Sequence, residues 1–525
     1  MNKYRISMQI RERILIMTGA MLTLLLAALD NTIVSTAMPK IIKDLNGIEH
    51  YSWPFTSYIL FSTVILPISG KLADIYGRKR ITISGIIFFI LASALCGLSS
   101  NMIMLSVFRG LQGIGGGICV SSAFVIVAEI FPPRERGKYM GILASMFAVA
   151  SILGPGAGGF IADKLSWHWI FYINIPLGII AFLLIWCNLH PIKHHEEKRR
   201  IDYPGVGAFV LFVAPFLFAV TEAGKRPIYS LDILALFGLS IIAFAVFISI
   251  ETKSKEPLLS LHFFKEKVFA SSVVSSSLGN MAIFGAAIFL PLYLQSAKGK
   301  SATESGMIMM PMMVLMILSS NISGRILTHR YLFKFMASTG LFMAFAGMLC
   351  IGLFGAEAGI DYIILFSGFA GFGIGLTFPV YNAAPQSLFA LKQVGIVTSL
   401  LQFFRNMGGA VGSAFFGAIM SFKMNAEMKT MSIPGISREL SDLMRNPKIL
   451  SDPEKLAAIR ENVPVENIAQ FDLAIKTAFN GMAASIERIF LFSAVILFIS
   501  LMVTLFYFNE NDVRRSISEY RNNNS

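Results

Sequence analysis

The chain has 525 residues, 55% of them hydrophobic and only 14% charged, against about 25% charged in an average soluble domain, which excludes a string of independent soluble domains. Its net charge of +13 would suggest nucleic acid in a soluble protein, but the basic residues fall in short loops between apolar runs. That placement follows the positive-inside rule and leaves no role for a nucleic-acid partner.

A membrane-spanning helix takes about 20 mainly apolar residues, and runs of that length recur along the whole chain. The N-terminal MNKYRISMQIRER is basic and leads directly into the first run, so it reads as the start of a retained helix, not a cleaved signal. Six spans are predicted near residues 14–37, 52–70, 81–98, 103–128, 138–162 and 169–188. Two more follow near 204–222 and 232–250, and six near 268–295, 304–325, 335–354, 361–384, 396–421 and 486–508. The organisation read from this is an N-terminal six-helix bundle (1–190), an inserted helix pair (191–260), five spans of a C-terminal bundle (261–421), a long extracytoplasmic loop (422–485), and a last span with a cytoplasmic tail (486–525). An even number of spans puts both ends on one side. Lys and Arg concentrate in the segments that share the N-terminal side, so both termini are expected in the cytoplasm. The polar stretch at 422–485 is a solvated cap or spacer, or else a gate or partner-binding segment, and SDPEKLAAIREN within it has the pattern of a short helix.

Several spans carry residues that lipid does not tolerate without a reason. LDNTIVSTAMP in the first holds Asp30, and an ionisable residue within a span needs a partner or a wet cavity. Asp30 is therefore a candidate to take up and release a proton, or else a structural carboxylate tethering a neighbouring helix. FRGLQGIGGG in the fourth span carries Arg109 and Gln112. An arginine stays charged and needs an acidic or carbonyl partner. Helical rise puts Asp30 and Arg109 at comparable depth, leaving open whether they face each other. GKLADIYGRKR, residues 70–80, follows the second span with Gly70, Asp74, Gly77, Arg78 and Lys79, and it is echoed by GRILTHRYLFK, residues 324–334, where Thr328 stands at the acidic position. ILGPGAGGFIAD in the fifth span supplies Gly154, Pro155, Gly158 and Gly159, small residues that let helices approach closely.

Later in the chain, Glu222 ends the seventh span, PLYLQSAKG holds Tyr293 and Gln295, and FRNMGGAVGSAFFG holds Arg405, a second intramembrane charge. The Met-rich MIMMPMMVLM offers either an adaptable ligand-facing wall or an ordinary packing surface. All four cysteines fall within apolar runs, as small hydrophobes. No phosphate-binding loop, metal-ligand cluster or catalytic constellation is evident, so no enzyme activity, metal or cofactor is expected.

Taken together, these motifs resemble the fourteen-helix drug/proton antiporters of the major facilitator superfamily, the EmrB/QacA type, over essentially the whole length. That resemblance implies an all-α polytopic membrane protein of the major facilitator fold, with two six-helix bundles and two inserted helices. It also implies a proton gradient as the energy source, in place of any cofactor, and a functional monomer in the cell membrane. Asp30, Arg109 and Gln112 would couple protons. Gly70, Asp74, Gly77, Arg78 and Lys79 would latch the bundles on the inner face, with Ile75 departing from the usual basic residue. Gly154, Pro155, Gly158 and Gly159 would form the antiporter motif, with Ala150 where a glycine is usual. Glu222, Tyr293, Gln295 and Arg405 are the weaker cavity or coupling positions. The implied cargo is a drug-like, amphipathic or cationic small molecule. A physiological lipid, peptide or osmolyte is the alternative, and a non-transporting sensor or enzyme a remote one.

Overall fold

A computed structural model describes residues 10–45, 53–190, 202–223, 229–254, 257–259, 261–296, 298–300, 302–355, 359–390, 393–429, 460, 463 and 468–522. All regular structure among them is helical, as lipid demands of a chain that must satisfy every backbone N–H and C=O within its own segments.

The N-terminal half contains α1 (Ile10–Leu45), α2 (Trp53–Tyr76), α3 (Arg78–Gly97), α4 (Met102–Ile130), α5 (Pro133–Lys164), the short α6 (Trp169–Tyr172) and α7 (Asn174–Asn188). Local chemistry sets several of these ends. Asn101 accepts the Met104 N–H at 2.8 Å to cap α4, and α5 opens on a proline in its first turn, where no N–H is missed. Gly77 separates α2 from α3 at φ +92°, a conformation that costs a residue with a Cβ. The pair α8 (Tyr203–Ala223) and α9 (Leu231–Glu251) comes next, followed by α10 (Lys267–Ser296), α11 (Ala302–Arg330), α12 (Phe333–Phe354), α13 (Ile360–Leu388), α14 (Val394–Lys429), α15 (Ile468–Tyr507) and α16 (Glu510–Asn522).

Two bundles result. In the first, α1 packs on α4, α5 and α7, while α4 lies against α2 and α3. In the second, α10 packs on α14 and α15, and α13 lies between α11 and α12. They meet where α5 crosses α11 and α13, and where α14 crosses α2 and α4. The α8–α9 pair sits outside this junction on α2 and α14, burying Phe209 and Phe247 against Phe403 and its neighbours.

Thirteen helices among the described residues are long and apolar enough to cross a membrane. The expected thirteenth span falls on α14, which has the length but is not among those thirteen and carries Gln402, Arg405 and Asn406 along its course. The final helix begins at Ile468 instead of near residue 486. Hydropathy misses its first turns because Asp472, Lys476 and Asn480 interrupt the apolar run without breaking the helix. Helix also continues through Lys429, so it enters the expected 422–485 loop from both sides. The short helix expected at SDPEKLAAIREN lies outside the described residues, apart from Arg460.

Both described chain ends lie at one face of the molecule, here termed the terminal face. Gly19 of α1 packs on Leu184 and Ile185 of α7, whose neighbour Trp186 holds Lys79. At the other end of the chain, Ser516 of α16 donates to the Ser387 carbonyl at the end of α13. There α16 also buries Val513 and Ile517, so the tail after the last span is an amphipathic helix docked on the second bundle.

Candidate functional site

The first polar centre lies wholly inside the N-terminal bundle. Asp30 on α1, Ser93 on α3, Arg109 and Gln112 on α4, and Asn174 at the start of α7 are all fully buried. Arg109 donates through Nη1 to Asp30 Oδ2 in a buried ion pair. Asp30 Oδ1 accepts from Gln112 Nε2 and from Asn174 Nδ2, each at 2.8 Å. Gln112 and Asn174 also donate to Ser93 Oγ at 3.0 and 2.9 Å, and Ser93 in turn donates to the Phe171 carbonyl at 2.9 Å. Arg109 further donates to Gln112 Oε1 at 2.8 Å and to Asn31 Oδ1 at 3.3 Å, and its guanidinium carbon lies 4.3 Å from the centre of the Tyr58 ring. Burying two opposite charges is sustained here because donors and acceptors surround both. Arg109 Nε and Asn174 Oδ1 are left without partners, so the network has room to rearrange when one of its charges changes.

Just beyond Asp30, α1 meets the glycine motif of α5. Thr32 donates to the Ala150 carbonyl at 3.0 Å. A side chain at Gly154 would collide with Thr32, and one at Gly158 would come within 2.7 Å of the Ile33 carbonyl. Gly159 faces open space and takes no part in this packing, while Pro155 lies within the helix.

The second centre is at the terminal face. Asp74, Arg78 and Glu129 are 6%, 5% and 4% exposed. Arg78 lies 3.4 Å from both carboxylates, and Asp74 Oδ2 accepts the Ile396 N–H of α14 at 3.1 Å. The carboxylate therefore sits at the positive end of a helix from the opposite bundle. Gly70 allows this approach, since a Cβ there would meet Ser399 and the Gly395 carbonyl. The echo of the motif does the corresponding thing across the junction: Gly324 of α11 abuts Gly137 of α5. Thr328 does not replace the acid. Its carbonyl accepts from Arg134 Nε at 3.1 Å, and the neighbouring Arg136 donates to the Gln386 carbonyl of α13 at 2.6 Å. Lys79, expected in the latch, turns away to the Trp186 carbonyl of α7 at 2.6 Å, within its own bundle.

The weaker positions are scattered. Tyr293 is buried and donates to Glu487 of α15 at 3.1 Å, while Gln295 donates to Ser305 at 3.0 Å. Glu222 is partly buried in the last turn of α8. None of these three joins either centre in the hydrogen bonds and ion pairs described. Arg405 of α14 lies at the junction of the bundles, its guanidinium carbon 4.4 Å from the Phe378 ring and 5.9 Å from those of Phe124 and Phe147. In the Met-rich stretch of α11, Met309 and Met312 are buried and Met307 and Met310 exposed, so it has a packing face and an open one.

Four polar residues at these centres, and Glu487 beside Tyr293, escaped the sequence reading. Ser93 is indistinguishable from the many serines in spans. Asn174 and Glu129 carried the general signal of a polar group inside or at the end of a span, as did Glu487. Arg136 was absorbed into the positive-inside count.

Residues 20–413 match the Major Facilitator Superfamily. The chain is 38% identical over 424 residues to the Multidrug transporter protein MdtP of Bacillus subtilis, covering 81% of this chain and 78% of that protein. It is 32% identical over 499 residues to Multidrug resistance protein 3 of the same organism, covering 94% of each. Its fold superposes on the human organic anion transporter MFSD10 (TETRAN) with a TM-score of 0.60 at 14% identity, over 93% of this chain and all of that one. It superposes on a bacterial homolog of the human lysosomal transporter Spinster with a TM-score of 0.55 at 16% identity, over 95% and 98%. The chain therefore belongs to the major facilitator superfamily, as a multi-pass secondary active transporter that moves a solute across the membrane.

Proposed function

We propose that the protein is a proton-coupled exporter of drugs or other small amphipathic compounds, working as a monomer by alternating access in the cell membrane. In this reading α14 is a fourteenth span, and the terminal face is cytoplasmic. The observation that carries the proposal is the fully buried Asp30, which is held by Arg109, Gln112 and Asn174 one turn from the α1–α5 contact.

Protonating Asp30 removes the counter-charge of Arg109. The two amide donors on Oδ1 then face a neutral acid, and the unpartnered Arg109 Nε and Asn174 Oδ1 offer alternative bonds. A shift of α1 is passed to α5 through Thr32 and Gly154. Helix α5 also carries Gly137 and Gly141, which close the terminal face against Gly324 and Ser320 of α11. One rigid helix thus connects the titrating group to the gate. Asp74, Arg78 and Glu129 act as the clasp that must release before that face opens. The names of the two Bacillus subtilis relatives favour drugs over a physiological lipid, peptide or osmolyte as cargo.

The test is transport by the purified protein in proteoliposomes under an imposed pH gradient, with ethidium as a drug-like probe. Asp30→Asn is expected to abolish uphill movement driven by the gradient while downhill equilibration of ethidium continues. Wild-type uphill transport by Asp30→Asn would remove Asp30 from coupling.

A further inference from the structure

Three arginines mark the inner workings of this molecule, and they are neutralised differently. Arg109 is paired with Asp30, and Arg78 with Asp74 and Glu129. Arg405 has no carboxylate within salt-bridge distance among the described residues. Its side chain donates to Gln402 Oε1, and Gln402 is itself engaged with Asn382 at 3.1 Å. Its backbone carbonyl accepts from Asn280 at 2.8 Å, which fixes α14 against α10 at this point.

The guanidinium is instead surrounded by aromatic rings from both halves of the protein. Phe378 on α13 belongs to the second bundle. Phe124 on α4 and Phe147 on α5 belong to the first, with ring centres 5.8 and 6.3 Å from that of Phe378. Ring faces stabilise a cation but supply no counter-charge. Eleven residues into α14, Arg405 is about 16 Å from the helix start, near the middle of a hydrocarbon layer about 30 Å thick. An uncompensated charge at that depth is costly and is retained where it binds something. Arg405 lies where the two bundles meet, so a ligand entering between them as they separate would meet it.

We propose that Arg405 and the Phe124, Phe147 and Phe378 rings form a recognition point for amphipathic organic anions, with the guanidinium taking a carboxylate or sulfonate and the rings taking an aromatic body. A fork of planar donors suits such a group. Because the rings come from both bundles, the ligand would touch both and be handed over as they move. The inference rests on the export reading above and narrows its cargo: anions are preferred to cations of the same shape.

Two xanthene dyes of matched shape and opposite charge, fluorescein and rhodamine 123, test it by equilibrium binding to the purified full chain. Wild type is expected to bind fluorescein about tenfold or more tightly than rhodamine 123. Arg405→Gln should weaken fluorescein binding about 10- to 100-fold, the factor expected on losing a charge-assisted bond, and leave rhodamine 123 unchanged or improved. Arg405→Lys should fall between. A measurement on wild type alone guards against misfolded variants: 2-naphthoate should displace fluorescein competitively, and its methyl ester should not. Equal binding of the two dyes, displacement by the ester, or unaltered fluorescein binding in a folded Arg405→Gln would each overturn the proposal. Binding involves no proton gradient, so these outcomes are separate from the Asp30→Asn transport result. The failure of one proposal is therefore told apart from the failure of the other.

Discussion

Asp74→Asn isolates the inter-bundle clasp at the terminal face. The wild-type carboxylate accepts the Ile396 N–H at 3.1 Å, so a negative charge sits on the first turn of α14. Asparagine keeps an acceptor of the same shape and removes the charge, while Arg78 keeps Glu129 at 3.4 Å. A charge at a partly buried helix N-terminus contributes up to about 2 kcal/mol. This contribution exists only while the two bundles touch, so its loss shifts the balance between closed and open faces by about 1–2 kcal/mol, a factor of about 5 to 30. Ser399 reports the change, being fully buried in this contact beside Gly70 and 2.8 Å from Ser121. In a Ser399→Cys background with Cys187 and Cys350 replaced by serine, maleimide labelling from the terminal face should accelerate by that factor in Asp74→Asn. An unchanged rate, with the protein folded and the label able to react after denaturation, would refute the idea that Asp74 holds the bundles together.

Gly70→Ala should raise the same labelling rate, because its Cβ would lie 2.8 Å from the Gly395 carbonyl and crowding of this kind costs about 1–3 kcal/mol. Arg109→Gln should lower the thermal unfolding midpoint by leaving Asp30 as an uncompensated buried charge, worth about 3–5 kcal/mol. Adding Asp30→Asn should restore part of that loss, and a double-mutant cycle by thermal unfolding checks the coupling. Asn174→Ala removes a 2.8 Å bond to Asp30 and should destabilise by about 1.5–3 kcal/mol, read in the same melts. Gly77→Ala, at φ +92° and ψ 139°, should cost about 1–3 kcal/mol in the same melts, and Gly77→Asn no less, since this positive-φ extended region is essentially closed to any residue with a Cβ.

The sequence made the depth of charged groups legible, because helical rise converts residue number into distance. It did not make azimuth legible. Arg78 and Lys79 are neighbours in the chain, but successive residues on a helix point about 100° apart. One joins Asp74 and Glu129, and the other reaches α7. Hydropathy located the spans but treated Asn174 and Ser93 as dents in apolar runs, although they complete the shell of Asp30. It likewise began the last span too late, since a helix can extend beyond the apolar stretch that reveals it. Gly70 and Gly324, which open residues 70–80 and 324–334, were readable as an echo. Only the fold shows that each presses on a helix of the other bundle.

Those paired glycine contacts make the closed face a door with two unlike fasteners. On the α2–α14 side the fastening is ionic, with the Asp74 carboxylate against a helix end. On the α5–α11 side it is made by Arg134 and a backbone carbonyl, and no change of protonation weakens that. Protonation of a carboxylate therefore loosens one edge and leaves the other engaged. On the proposed mechanism, the first movement would then be a swing about the α5–α11 seam, not a symmetrical parting of the two halves.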